Sequence, residues 1–155
     1  MKKYTVVIPT TDYLVGISDI VIEDPLVYSV ICENNNLEAL PISNKYSSFV
    51  KSPTGIIEKI TGKSSYRIDI TKKIEQGTSW QLSIAIAHIL NHLNLLDFSK
   101  DKELTPVKNT TVIWASGTIN SNYDVKYINH LKEKIKKSIS YFKTQIEMNV
   151  PIHIV

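Results

Sequence analysis

Cysteine is nearly absent from this chain. Cys32 is the only one among 155 residues, so no intrachain disulfide framework can form, and a reducing, cytoplasmic setting is expected. Long apolar runs are missing too: none reaches the ~18 residues of a spanning helix, so no membrane partner is expected. Behind Met1-Lys2-Lys3 the apolar run is only Tyr4–Ile8 before Pro9 and Asp12, too short for the core of a secretory leader. Charge of one sign is weak. The net charge is +3, and lysine concentrates only over 132–143, without the aromatic interleaving that stacks bases, so no nucleic-acid partner is expected. No phosphate-binding loop forms: Gly55 and Gly62, ahead of Lys63-Ser64, are separated by six residues where the motif needs four. His88 and His92 have a metal-ligand spacing, but Ile89 stands where a zinc protease carries its base and no third ligand follows. His130 and His153 are isolated. No metal and no cofactor is expected.

What remains is an ordinary globular composition, 43% hydrophobic and 21% charged, which suits one domain over 1–155. Tyr4–Ile8, Ile17–Glu23 and Leu26–Cys32 read as strands of a hairpin-connected unit, with polar turns at Pro9–Asp12 and Glu33–Asn36. The stretch 37–52 has no clear period, and Ile56–Ile60 fits a short helix or strand. Tyr66–Ile70 and Thr110–Ala115 are strands, Asp97–Asn109 is a surface connection, and Ile152–Val155 is a short apolar strand. A chain that stops on such a strand suggests a piece of a longer protein. From Tyr127, apolar residues at Ile128, Leu131, Ile135, Ile139, Phe142 and Ile146 predict a helix with that stripe on the core. The fold class expected is α/β (α+β-like), a mixed sheet with two main helices.

The segment around which the rest is arranged is 75–96. A polar loop, Glu75-Gln76-Gly77-Thr78, delivers Ser79 to a helix that is apolar on nearly every side from Trp80 onward, hence buried. Backbone N–H groups at a helix start lack intrahelical partners and favour negative charge, which suits a nucleophile beside an oxyanion. On this segment alone an ordinary N-cap at Thr78 or Ser79 is the simpler reading.

Two further features join it. Ser116-Gly117 closes a strand, and Lys132 stands near the start of the second helix. A serine hydroxyl needs a base, and lysine serves only if burial lowers its pKa towards neutrality. The run Val125–Ile135 (VKYINHLKEKI) resembles the catalytic-lysine segment of Lon proteases, Val-x-x-Ile-Gly-Gly-Leu-Lys-Glu-Lys-Leu, whose first lysine is taken as the dyad base. Gly77-Thr78-Ser79 resembles the family's Gly-Pro-Ser, and Ala115–Ile119 its Met-Thr-Gly-Glu-Ile. The likeness covers Tyr66–Val155 and is only topological before that. It implies a Lon-like serine peptidase domain without an ATPase module. Ser79 would be the nucleophile, Lys132 the base, Ser116 the lysine's hydrogen-bond partner, and the backbone of Gly77, Thr78 and Trp80 the oxyanion site. The partner implied is a peptide or protein substrate; the family's rings make a homo-oligomer a further expectation. The family's small residues after the serine are Trp80 and Gln81 here, its Gly-Gly is Asn129-His130, and its acidic residue is Gln76. Those departures carry a second expectation, a catalytically inactive interaction module of a larger protein. An unrelated α/β domain with a capping Ser79 and a solvated Lys132 is the third.

Overall fold

A computed structural model describes residues 1–34, 36–126 and 130–155. Among these, an α/β fold is built from a six-stranded mixed sheet and four helices, with a separate two-stranded ribbon. Strand β1 (Lys3–Pro9) turns at Thr10, whose hydroxyl and amide both bond the Tyr13 carbonyl, into antiparallel β2 (Leu14–Ile22). Strand β3 (Val30–Glu33), helices α1 (Ser43–Val50) and α2 (Ile57–Thr61), and strand β4 (Tyr66–Ile70) follow. Helix α3 is Gln81–His92 and strand β5 is Thr110–Trp114. The ribbon is β6 (Thr118–Ile119) with β7 (Val125–Lys126), and helix α4 (Leu131–Glu147) leads to strand β8 (Ile152–Ile154). The sheet order is β3-β4-β2-β1-β5-β8, with β5 parallel to both β1 and β8.

Two expectations for the first half are corrected. Leu26–Cys32 contributes only its second part to a strand, because Asp24 caps a turn over Leu26 and Val27 and leaves Leu26 94% exposed. That strand is not hairpin-paired with β2 either: β4 lies between them, and β3 runs parallel to it. The stretch without a clear period contains α1, where Tyr46, Phe49 and Val50 turn inward at helical spacing.

Helix α3 packs on β1 and β2 over the larger core, with Ile84, Ala85 and Ala87 fully enclosed beside Val6, Ile8, Val15 and Ile17. Each such aliphatic side chain contributes roughly 1.5–3 kcal/mol, and Ala less. His88 is part of this packing. Its Nε2 meets the Tyr46 hydroxyl at 2.9 Å and its ring stands edge-on to Tyr66.

The opposite face of β1 and β5 carries Val7, Val112 and Trp114 and is covered by α4. Here the expected orientation holds for Phe142, which packs on Trp114, and is overturned for the rest of the described stripe. Leu131, Ile135, Ile139 and Ile146 are exposed, while Lys134, Ser138 and Gln145 are buried. The inward face is polar because polar partners await it: Trp114 Nε1 donates to Ser138 Oγ at 2.8 Å, and Gln145 Nε2 to the Leu104 carbonyl at 3.5 Å. The expected start at Tyr127, the stripe residue Ile128, Asn129 and one position of the Glu33–Asn36 turn lie outside the described residues.

Candidate functional site

The loop before α3 is held by its own residues. Gly77 adopts φ +89°, open to glycine and strained for any other side chain, and its carbonyl accepts the indole N–H of Trp80 at 3.0 Å. The Trp80 ring is buried, edge-on to Tyr46 and Phe49, so it anchors the loop into the core and does not lie over Ser79. The departure from the small residues that the Lon pattern carries there is thus absorbed inside the domain.

A short ladder joins this loop to the strand end at 115–117. Gly117 N–H donates to the Ser79 carbonyl at 2.9 Å, and Leu82 N–H to the Gly117 carbonyl at 3.0 Å. Ser83 Oγ, buried one turn further on, donates to the Ala115 carbonyl. Ser116 N–H in turn donates to the Val155 carbonyl at 3.2 Å, just past β8. Ser79 and Ser116 therefore stand side by side.

Helix α4 supplies the cation. His130 N-caps it at φ +73°, and its carbonyl accepts the Lys134 N–H at 3.0 Å. Ser138 Oγ donates to the Lys134 carbonyl and accepts from Trp114, which fixes the helix's rotation. Lys134 Nζ lies 2.7 Å from Ser79 Oγ and 2.9 Å from Ser116 Oγ. The residue is only 4% exposed, and among the described residues no carboxylate pairs with it. Burial lowers the pKa of its amine from the ordinary lysine range, with no neighbouring negative charge to restore it.

Lys132, the expected base, is corrected by the same geometry. It is exposed on α4, two residues from Lys134 and hence about 200° around the helix. Of the two lysines, the second is the one that turns inward. A signal for it exists in the sequence: Lys134, Ser138 and Gln145 recur at helical spacing as a polar stripe, which hydrophobic periodicity does not pick out.

A cleft of 690 Å³ opens beside Ser79. Gln76, Gly77, Thr78 and Trp80 line one side, His130, Glu133 and Lys134 another, and Ile8 to Thr11 with Ile74 its floor. Thr10, Thr11 and Glu133 were not singled out by sequence. Among the described residues the amides of Ser79 and Trp80 donate to no backbone carbonyl, as the first N–H groups at a helix start do. A buried amine within hydrogen-bond reach of two hydroxyls at the rim of a cleft is an arrangement suited to proton transfer from a hydroxyl. Among the described residues no group of three or more His, Cys, Asp or Glu could hold a metal ion, and no helix is long and apolar enough to cross a membrane. No protein-family model matches this chain, and no curated protein matches it in a sequence search.

Proposed function

We propose that this chain is a Lon-like serine peptidase domain working through a Ser79–Lys134 dyad. The observation that carries the reading is one desolvated amine within 2.7 Å and 2.9 Å of two serine hydroxyls at the edge of an open cleft. A lysine buried without a counter-ion costs stability, and a site that tolerates that cost calls for a chemical use. Neutral Lys134 accepts the Ser79 proton as Oγ attacks a peptide carbonyl. The Ser79 and Trp80 amides receive the oxyanion. The tetrahedral intermediate collapses to an ester on Ser79, and Lys134 hands its proton to the leaving amine. Water then attacks the ester carbonyl as Lys134 takes its proton. The C–Oγ bond breaks as Lys134 returns that proton to Ser79 Oγ, which releases the acid and restores the dyad. Ser116 positions the amine throughout. No step draws on nucleotide, metal or cofactor.

Cleavage of an unstructured protein such as casein tests the reading. Wild type generates new amino termini, and Ser79→Ala and Lys134→Met each lose at least ~10³-fold. Equal cleavage by wild type and both variants contradicts it.

The second reading, an interaction module that keeps this fold without turnover, is favoured by one observation: the exposed apolar stripe on α4. A protein that fails both to cleave and to react covalently at Ser79 supports that reading.

A further inference from the structure

We infer that a cavity under α4 binds a small neutral molecule with a flat apolar body and a hydroxyl donor, of the size and chemistry of phenol. The cavity measures about 150 Å³ and lies between α4, the strands β1 and β5, and the connection 97–109. Phe98, Leu104, Pro106, Val107 and Val112 give it apolar walls. Ser99 from the connection and Gln145 from α4 line it as well. Ser99 is 7% exposed and Gln145 1%, and among the described residues Ser99 Oγ and Gln145 Oε1 have no hydrogen-bond partner.

The walls are fixed by the fold. Ser99 N–H donates to the Ile17 carbonyl at 2.8 Å, Asp101 Oδ1 accepts the Thr105 N–H at 3.1 Å, and Thr110 Oγ1 donates to the Val107 carbonyl at 2.7 Å. Gly16 of β2 lets the connection settle onto the sheet: a Cβ there would lie 2.3 Å from Ser99 Oγ and 2.5 Å from Leu104 Cδ2. The cavity is therefore preformed. Lined by hydrocarbon alone, a cavity of ~150 Å³ stays dry and takes benzene. Here two buried polar atoms change the occupant, because leaving such atoms unmet is costly. Gln145 Nε2 already faces the Leu104 carbonyl, so Oε1 can only accept. A ring hydroxyl donates to it while the ring meets the apolar walls, and Ser99 Oγ can donate or accept. A carboxylate would set negative charge against Oε1, and an ammonium would lose its water in a mostly apolar site. Water meets the two polar atoms, but several waters are needed to fill this volume, and each needs about two to four polar partners that the apolar walls do not supply. Tyr141 lines the same cavity, and burial raises its hydroxyl pKa above the ordinary range, so this side of α4 is shielded from solvent. The inference does not rest on the peptidase reading.

NMR titration of the isotope-labelled full chain with phenol, toluene and benzoate tests it. Phenol is expected to saturate with a Kd at or below about 1 mM, within reach of a ligand of about seven heavy atoms. It shifts the backbone amides of Leu104 and Val112 and the side-chain amide of Gln145. Toluene, the same shape without the donor, is expected to bind ~10-fold more weakly, and benzoate more weakly still. Gln145→Met removes the acceptor at similar volume, so phenol loses ~10-fold while toluene binds at least as well as to wild type. Unfolding would lose both ligands together, so that exchange of preference is specific to the site. Should the variant not fold, the phenol–toluene comparison on wild type decides alone. No saturation by phenol at about 10 mM, equal affinity of wild type for phenol and toluene, an unchanged phenol affinity in folded Gln145→Met, or shifts confined to another part of the chain overturns the inference.

Discussion

Lys134 Nζ lies 2.7 Å from Ser79 Oγ, across 55 residues of sequence and between two helices that cover opposite faces of the sheet. The contact exists because both helices reach past the end of β5. The Ser79–Gly117–Leu82 ladder holds one to the strand end, and the Trp114–Ser138 bond holds the other. The amine is buried by the packing that orients it, so its position and its basicity have one cause.

The pH dependence of the site follows from that burial. Because folding lowers the Lys134 pKa, the neutral amine is present at a lower pH than for an ordinary lysine. Reaction at Ser79 is predicted to rise with pH and reach its plateau below the ordinary lysine value of 10.5. Lys134→Arg does not restore it, since a guanidinium stays charged. A rate profile from pH 6 to 11 on both proteins checks this; a wild-type midpoint at or above the ordinary value contradicts it.

Stability carries the same signature. Below its folded-state pKa, Lys134 is a desolvated cation, whereas the unfolded chain solvates it. Between the folded and unfolded pKa values the unfolded state binds more protons, so wild-type stability rises with pH there. Lys134→Met is predicted to be more stable than wild type by ~1–2 kcal/mol near neutrality, with the difference shrinking as pH rises towards 10.5. Thermal melts across that range measure it.

His88 titrates in the acid range. Its enclosed ring holds the pKa down at about 3 from an ordinary 6.5, through burial alone. The unfolded chain therefore binds a proton that the folded chain refuses between those values, and stability falls as pH drops through that window. At pH 5 the loss from this residue is about 2 kcal/mol. In His88→Phe that component of the acid loss disappears, whatever its stability at pH 7, and urea titrations at pH 7 and pH 5 reveal the difference.

Much of this fold is legible in the sequence. β-branched alternation marks β4 over Tyr66–Ile70, and β5 ends one residue before the predicted Ala115. Helix α3 is evident from its apolar run, although it ends at His92, where Leu93 to Leu96 turn back so that the Leu95 carbonyl accepts the Tyr4 N–H. The rotation of α4 is not legible, because hydrophobic periodicity assumes that the apolar face is the buried one. Here Trp114 and Leu104 offer hydrogen bonds that make a polar face the inward one. Lys132 is singled out by its resemblance to the Lon pattern, and that pattern does not mark which lysine turns inward: Lys132 and Lys134 stand on opposite sides of the helix. The position of β3 outside β4 is likewise a long-range pairing with no local signature.

Gly117 is predicted to tolerate no side chain. A Cβ there would lie 2.9 Å from the Lys126 carbonyl oxygen and 3.4 Å from Leu82 Cδ2, so the ladder that sets Ser79 beside Ser116 must shift. Gly117→Ala is expected to lose ~1–3 kcal/mol and at least ~10-fold in reaction at Ser79. Urea unfolding and labelling rates measured on one preparation test both.

The central claim is that Lys134, and not Lys132, activates Ser79. Its most direct test is the rate of fluorophosphonate labelling, with the modified residue identified by peptide mapping. Wild type and Lys132→Ala are predicted to label at Ser79 at the same rate, within about twofold. Lys134→Met is predicted to be slower by at least ~10³-fold, and Ser79→Ala to remain unlabelled. Loss of labelling in Lys132→Ala with retention in Lys134→Met would contradict the account.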